Sequence, residues 1–287
     1  MSPKFTVLWA ASGFTPTHPD AVQEMASEKA NRLPAKTHRV VQIGPGVAVK
    51  YGLLVSKKEA ENMMIMAKNT SIPVPKVLAY GTFGPFPRSA RDNVICDGQF
   101  YETYIYMALA KGQSLDKAWD SCTRPSREAI SKQLTTYLLE LRKLEGSYIG
   151  SLNSGAVLDM ASPSIKSKGP FKSEGQFNTA LSNAYITTLG TSGLDIRTFV
   201  RELLSNNDHK IHFTHGNIKP QHIMVHNGRV TAILDWALSG FYPEYWDFAK
   251  ALDGDGLGDE RAVFIMNTFP QQYALEYLVY CFLTEVL

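Results

Sequence analysis

The side chains with chemical potential gather in one stretch. His215, Gly216, Asn217, Ile218, Lys219, Pro220, Gln221 and His222 lead into Ile223-Met224-Val225, and ten residues later comes Asp235-Trp236. A carboxylate such as Asp235, at the end of the apolar run Ile233-Leu234, is an oxygen ligand suited to a hard cation. The imidazole of His222 is a poorer ligand for such an ion. Asn217 offers an amide with one acceptor oxygen; it can position a molecule but cannot take a proton. Far upstream, Lys50 sits in Val47-Ala48-Val49-Lys50-Tyr51. On a strand, Ala48 and Lys50 share one face while Val47, Val49 and Tyr51 share the other, so the ammonium can turn away from a core that takes the valines. Taken alone, Lys50 reads more readily as a solvated strand lysine.

These residues need elements to hold them. Pro19-Asp20 signals a first helix, with Asp20 as N-cap and Gln23 able to reach back, running towards Arg32-Leu33 before Pro34. Residues 39–43 and 47–51 around Gly44-Pro45-Gly46 read as a β-hairpin. Ser56 and Glu59 have capping-box spacing and open a helix with methionines at 63, 64 and 66, which ends before Ser71-Ile72-Pro73-Val74-Pro75. Strands are expected at 77–80 and 101–107, joined through Gly84-Pro85-Phe86-Pro87 and a polar stretch to Asp97-Gly98. Residues 1–107 therefore read as a β-rich unit with a small mixed sheet and one packed helix, 108–112 as a hinge, and 113–287 as mainly helical.

In that second part, 126–144 carries Ile130, Leu134, Tyr137, Leu138, Leu141 and Leu144 on one helical face. The Ser-, Gly- and Pro-rich span 146–175 reads as an irregular excursion, and helices follow near 176–188 and 194–204. Runs 223–225 and 230–234 flank Asn227-Gly228, a dipeptide that favours a type I′ hairpin turn because both of its positions take positive φ. Asp253-Gly254-Asp255-Gly256 lacks the remaining ligands of a calcium loop and reads as an interhelical turn.

The composition excludes several classes of function. With 29 Lys and Arg against 27 Asp and Glu, the net charge is only +2. No basic run is present, so there is no footprint for nucleic acid or for an anionic membrane. Three widely spaced cysteines, Cys96, Cys122 and Cys281, fit reduced, mostly buried thiols better than a disulfide framework. The apolar stretch Phe5 to Ala11 has no convincing cleavage site after it, and no run approaches the roughly 18 apolar residues of a membrane span. An intracellular, cytoplasmic protein with a small-molecule partner is the expectation.

Together these motifs resemble the aminoglycoside phosphotransferase-like branch of the protein-kinase-like fold, especially its fungal members. The matching segments are Val47 to Lys50, Thr70 to Val77, Tyr106-Met107 to Gly112-Gln113-Ser114-Leu115, Tyr148 to Ser151, His215-Gly216, Ile233 to Trp236 and Phe241 to Trp246. The resemblance spans Val40 to about Leu252 and implies an α+β fold in two lobes. It also implies that Lys50 binds nucleotide phosphates, that Glu59 orients Lys50 unless it is only a capping residue, and that Asp235 binds magnesium. His215 would structure the loop.

Two positions depart from the family pattern, which has Asp where this chain has Asn217 and Asn where it has His222. The first change removes the base that deprotonates an acceptor hydroxyl, and the second weakens the magnesium site. The chain is therefore expected to need no cofactor and to be a repurposed enzyme of natural-product metabolism that preorganises an apolar substrate, concretely for a cyclisation of the Diels–Alder kind. Lys50 or a histidine would donate a hydrogen bond to a substrate carbonyl, and Tyr104, Tyr106, Phe241, Tyr242, Tyr245 and Trp246 are candidates to line the pocket. The alternatives are an ATP- and magnesium-dependent phosphotransferase with another base, and a non-catalytic ligand-binding protein.

Overall fold

The computed structural model describes residues 2–33, 39–86, 100–158, 165, 168–189, 194–206, 208–252 and 260–284. Pro34, Pro87, Cys96, Asp97-Gly98, part of the 146–175 excursion and the turn at 253–256 lie outside these residues. Contacts divide the chain into two units, Met1–Asn69 with Val74–Lys111 and Thr70–Pro73 with Gly112–Leu287.

The first unit is built on a six-stranded sheet. Its elements are β1 (Lys4–Ala10), α1 (Pro19–Ser27), β2 (Arg32–Leu33), β3 (Arg39–Gly44), β4 (Val47–Gly52), α2 (Lys57–Asn69), β5 (Val77–Phe86) and β6 (Phe100–Ala108), with strand order β1-β5-β6-β4-β3-β2. The sheet expected to be mixed pairs its strands antiparallel at every described neighbour. The apolar stretch that begins at Phe5 supplies most of the edge strand β1. Helix α1 starts two residues earlier than expected, because His18 rather than Asp20 is its N-cap and accepts from the Asp20 N–H at 3.3 Å. It also ends at Ser27, since Arg32 and Leu33 leave helical geometry to pair with β3.

Strand alternation sorts this unit's side chains into two layers. Val41, Val49, Tyr51, Tyr104 and Tyr106 form one buried cluster with Val22 of α1. Cross-strand partners share a face, and the register places Tyr51 opposite Tyr104 and Val49 opposite Tyr106. The rings of Tyr51 and Tyr104 stack at 4.8 Å. Each fully buried large side chain of this kind contributes about 1.5–3 kcal/mol. The opposite face carries Lys50 and meets α2.

The second unit contains β7 (Gln113–Ser114), α3 (Leu115–Ala118), α4 (Arg124–Leu141), α5 (Glu174–Leu189), α6 (Leu194–Leu203), β8 (Ile211–Thr214), β9 (Ile223–His226), β10 (Arg229–Ile233), β11 (Gly240–Pro243), α7 (Trp246–Ala251), α8 (Glu260–Thr268) and α9 (Ala274–Thr284). Helix α4 buries Ile130, Leu134, Leu138 and Leu141. It stops short of Leu144, whose carbonyl instead accepts from the Phe213 N–H of β8. The short strands form two ribbons, β10-β9-β7 and β11-β8. Asn227 and Gly228, at φ 49° and 70°, make the tight turn between β9 and β10.

The described part of the excursion is tied down. Gly150 exchanges backbone hydrogen bonds with Phe241 of β11, and Ile149 does so with Phe171. Thr70–Pro73 belongs with this unit because the Ser71 N–H donates to Glu140 of α4 at 2.7 Å and the Pro73 carbonyl accepts from Ile233 at 2.7 Å. Among the described residues no helix is long and apolar enough to cross a membrane. Cys122 and Cys281 are free, half-buried thiols.

Candidate functional site

The loop between β8 and β9 is held from beneath by a buried carboxylate. Asp247 of α7 accepts from the His215 N–H at 3.0 Å and from the Gly216 N–H at 2.6 Å. Burial raises its pKa to about 6, although the two N–H donors oppose that shift. Gly216 adopts φ 76°, and a Cβ there would stand 2.9 Å from the Leu238 carbonyl oxygen, so a side chain is excluded on both counts. Asp247 is not among the residues expected from motif spacing. Its signal was a lone carboxylate inside the apolar run Trp246-Asp247-Phe248-Ala249, which is rarely buried unless partnered.

His215 is fully buried and its ring joins both ends of the site. Its Nδ1 accepts from the Asn217 N–H at 3.1 Å, which leaves Nε2–H to donate to the Leu234 carbonyl at 3.0 Å. Its ring also meets Trp236 edge-on at 4.5 Å. Position 215 thus fixes where Asn217 and Asp235 lie.

Asn217, His222 and Asp235 converge. The Asn217 Nδ2 donates to Asp235 Oδ2 at 2.7 Å. The His222 Nδ1 lies 3.0 Å from the Asn217 carbonyl oxygen, to which it must donate, and its Nε2 stands 3.7 Å from the same Asp235 Oδ2. Asp235 holds φ 66° and ψ 60°, a left-handed conformation that an aspartate adopts at some cost and that aims its carboxylate at the loop. All three side chains are partly exposed, so a small molecule can reach them.

This donor set does not fit magnesium well. The ion prefers a near-octahedral shell of oxygen, whereas here one Asp235 oxygen already accepts an amide hydrogen and faces an imidazole nitrogen. Among the described residues, no group of three His, Cys, Asp or Glu side chains is arranged to hold a metal.

In the first unit, Lys50 Nζ donates to Glu59 Oε1 at 2.7 Å, with both residues almost fully buried. Glu59 does not reach back as a capping-box residue. Instead Ser56 Oγ accepts from the Lys58 N–H at 3.2 Å, and the Glu59 side chain turns to the sheet.

The proposed aromatic lining needs correction. Tyr104 and Tyr106 lie on the sheet face opposite Lys50, are 0% exposed, and belong to the core against α1. The Tyr104 hydroxyl is satisfied there by Gln23 and Glu102, and that of Tyr106 by the Thr17 carbonyl. Tyr242 is also buried, stacked on Trp246 at 5.3 Å, with its hydroxyl accepting from the Leu158 N–H. Phe241 is half-buried between Tyr148 and Phe213. Tyr245 and Trp246, at the start of α7, are largely buried but do line a cavity, together with α9 and the segment around His209. For Tyr104 and Tyr106 it is the cross-strand register that turns the rings into the core.

The fold is that of the aminoglycoside phosphotransferases, a protein-kinase-like architecture. Aminoglycoside phosphotransferase APH(4)-Ia superposes with a TM-score of 0.56 at 14% identity, covering 94% of this chain and 90% of that one. A thermostable mutant of that enzyme, in ternary complex with ADP and hygromycin B, gives 0.55 at 13%, over 89% and 83%. The streptomycin–ATP–APH(2″)-IIa ternary complex gives 0.54 at 13%, over 93% and 86%. A family model described as phosphotransferase enzyme family matches residues 170–278. No curated protein matches the sequence. The chain is therefore a kinase-fold protein.

Proposed function

We propose that this kinase-fold protein has left phosphoryl transfer and acts on a small, largely apolar molecule, in the concrete version as a cyclase of fungal natural-product biosynthesis. The observation that carries this reading is the 2.7 Å hydrogen bond from Asn217 Nδ2 to Asp235 Oδ2. At the position where phosphotransferases of this fold keep a base, an amide with no basic site donates its hydrogen to the carboxylate that would hold the metal. A positioned base contributes about 10²–10⁴-fold, and that contribution is missing at this position. His222 beside the same oxygen further disfavours magnesium. On the loop itself, the partly exposed His222 imidazole remains as a group able to donate a hydrogen bond and polarise a substrate carbonyl.

Thermal unfolding with ATP, with and without magnesium, tests the reading. Magnesium is expected to add no upward shift, and no phosphate should be released. A magnesium-dependent shift with ATP consumption lost in Asp235→Ala would overturn it, because binding to the native state raises apparent stability by about 2.7 kcal/mol at a hundredfold excess over Kd. Deleting the gene in its host and identifying the accumulated compound would give the substrate class.

One observation favours a second reading. The Lys50–Glu59 pair is intact at 2.7 Å, the arrangement that orients a phosphate-binding lysine in kinases. A nucleotide-binding protein, or a phosphotransferase with another base, would use it, and metal-independent ADP binding lost in Lys50→Met would support that alternative.

A further inference from the structure

A cavity of about 550 Å³ lies among α5, α6 and α9, and none of the residues lining it falls between His215 and Asp235. Its wall is apolar, with Leu181, Leu203, Val279 and Leu283 among the contributors. Phe199, Leu275 and Leu278, which are 48%, 74% and 61% exposed, also line it, so exposed apolar surface is grouped at this cavity rather than scattered singly.

The polar part of the lining is specific. Asn178 is only 4% exposed and gives its Nδ2 hydrogens to the Leu204 and Asn206 carbonyls at 3.1 Å each. Those two acceptors fix the amide's orientation, and its Oδ1 is left with no hydrogen-bond partner. That oxygen is itself sealed from solvent, so the amide serves to anchor the segment after α6 at the cavity wall. Nearby, His209 is clamped by Glu174 Oε1 at 2.9 Å and Glu276 Oε1 at 3.3 Å, and Glu202 also lines the cavity. Carboxylates outnumber the single imidazole, so an anion is disfavoured.

We infer that this cavity is a binding site for a small, largely apolar molecule that carries no negative charge. The volume is that of a small-molecule site, which typically spans about 300–1,000 Å³. A second protein copy fits less well: a stable interface needs about 800 Å² per partner, and three exposed rim side chains do not provide it. The inference is independent of the reading of Asn217 and Asp235.

Fluorescence titration with N-phenyl-1-naphthylamine, a neutral aromatic amine with one N–H donor, tests it. Saturable binding at one site per chain is expected. The same ring system carrying a sulfonate, 8-anilino-1-naphthalenesulfonate, should bind at least about tenfold more weakly, and Leu275→Glu and Leu278→Glu should each weaken the neutral probe about tenfold. Val263→Glu, on an exposed residue of α8 outside the cavity, should leave its affinity unchanged. The inference is overturned by absent or non-saturable binding, by unchanged affinity in both leucine variants, by equal or tighter binding of the sulfonate, or by a dimer that Leu278→Glu dissociates. Titrations without ATP or magnesium keep these outcomes separate from the kinase question.

Discussion

Asn217 exerts its effect through a single hydrogen. With Nδ2 2.7 Å from Asp235 Oδ2, it satisfies a carboxylate that an aspartate at the same place would repel. Asn217→Asp is therefore expected to place two carboxylates in contact, so that the pair shares a proton and one macroscopic pKa rises. A raised carboxyl pKa makes the folded state bind more protons than the unfolded one, so stability falls as pH rises through that value. The variant should lose about 1–3 kcal/mol at pH 7 relative to the native protein and much less at pH 5. Thermal unfolding at the two pH values measures this, and recovery of the loss by added magnesium would show that the aspartate pair attracts the ion. Equal losses at both values would rule out charge repulsion as the cause. His222→Asn is expected to be milder, because the partly exposed imidazole makes one described hydrogen bond, to the Asn217 carbonyl.

At the scale of elements, the junction of β4 and α2 rests on the buried Lys50–Glu59 pair. Removing one partner leaves an uncompensated buried charge, so Lys50→Met or Glu59→Leu should each cost about 3–5 kcal/mol. The double replacement, which removes both charges and keeps volume, should fall within about 1 kcal/mol of the native protein. Urea unfolding of the four proteins forms the cycle; a double variant as unstable as the sum of the singles would mean that the residues act independently. The same junction shows why some of the site was legible and some was not. Alternation along Val47 to Tyr51 is a local property, and it correctly separates Lys50 from the valines. Whether Glu59 caps its own helix or crosses to Lys50 depends on where α2 docks, which spacing from Ser56 does not encode.

For the whole molecule, two groups of the second unit, the buried Asp247 and the largely buried His209, contribute to the pH dependence of stability. Asp247 has a pKa raised from 3.8 to about 6 by burial, so its contribution is fully present below about pH 4 and is lost as pH rises through about 6. The pKa of His209 is raised above 6.5, first by its hydrogen bond to Glu174, so its contribution is present below 6.5 and is lost as pH rises through the higher folded value. Both favour the acid side. The melting temperature should therefore contain two falling components, one between about pH 4 and 6 that is absent in Asp247→Asn, and one above 6.5 that is absent in His209→Gln. Both variants should also be less stable: the first turns an amide N–H towards a backbone N–H, and the second leaves Glu174 buried without its cationic partner. A native profile that these substitutions leave unchanged in shape would show that neither group titrates as described.

Local chemistry in the sequence determined much of this protein. The hairpin at Asn227-Gly228, the amphipathic face of α4, the strand alternation around Lys50, and the order of motifs that resembles a kinase fold all follow from patterns within short windows, where backbone sterics and side-chain periodicity act directly. Tertiary structure decided what those windows could not contain. It made Tyr104 and Tyr106 core residues through their cross-strand register, gave Asp247 its role beneath the His215 loop, and brought the Asn217 amide onto Asp235 across eighteen residues of chain. Each of these depends on the packing of segments distant in sequence, and burial and hydrogen-bond partnership exist only once that packing is complete.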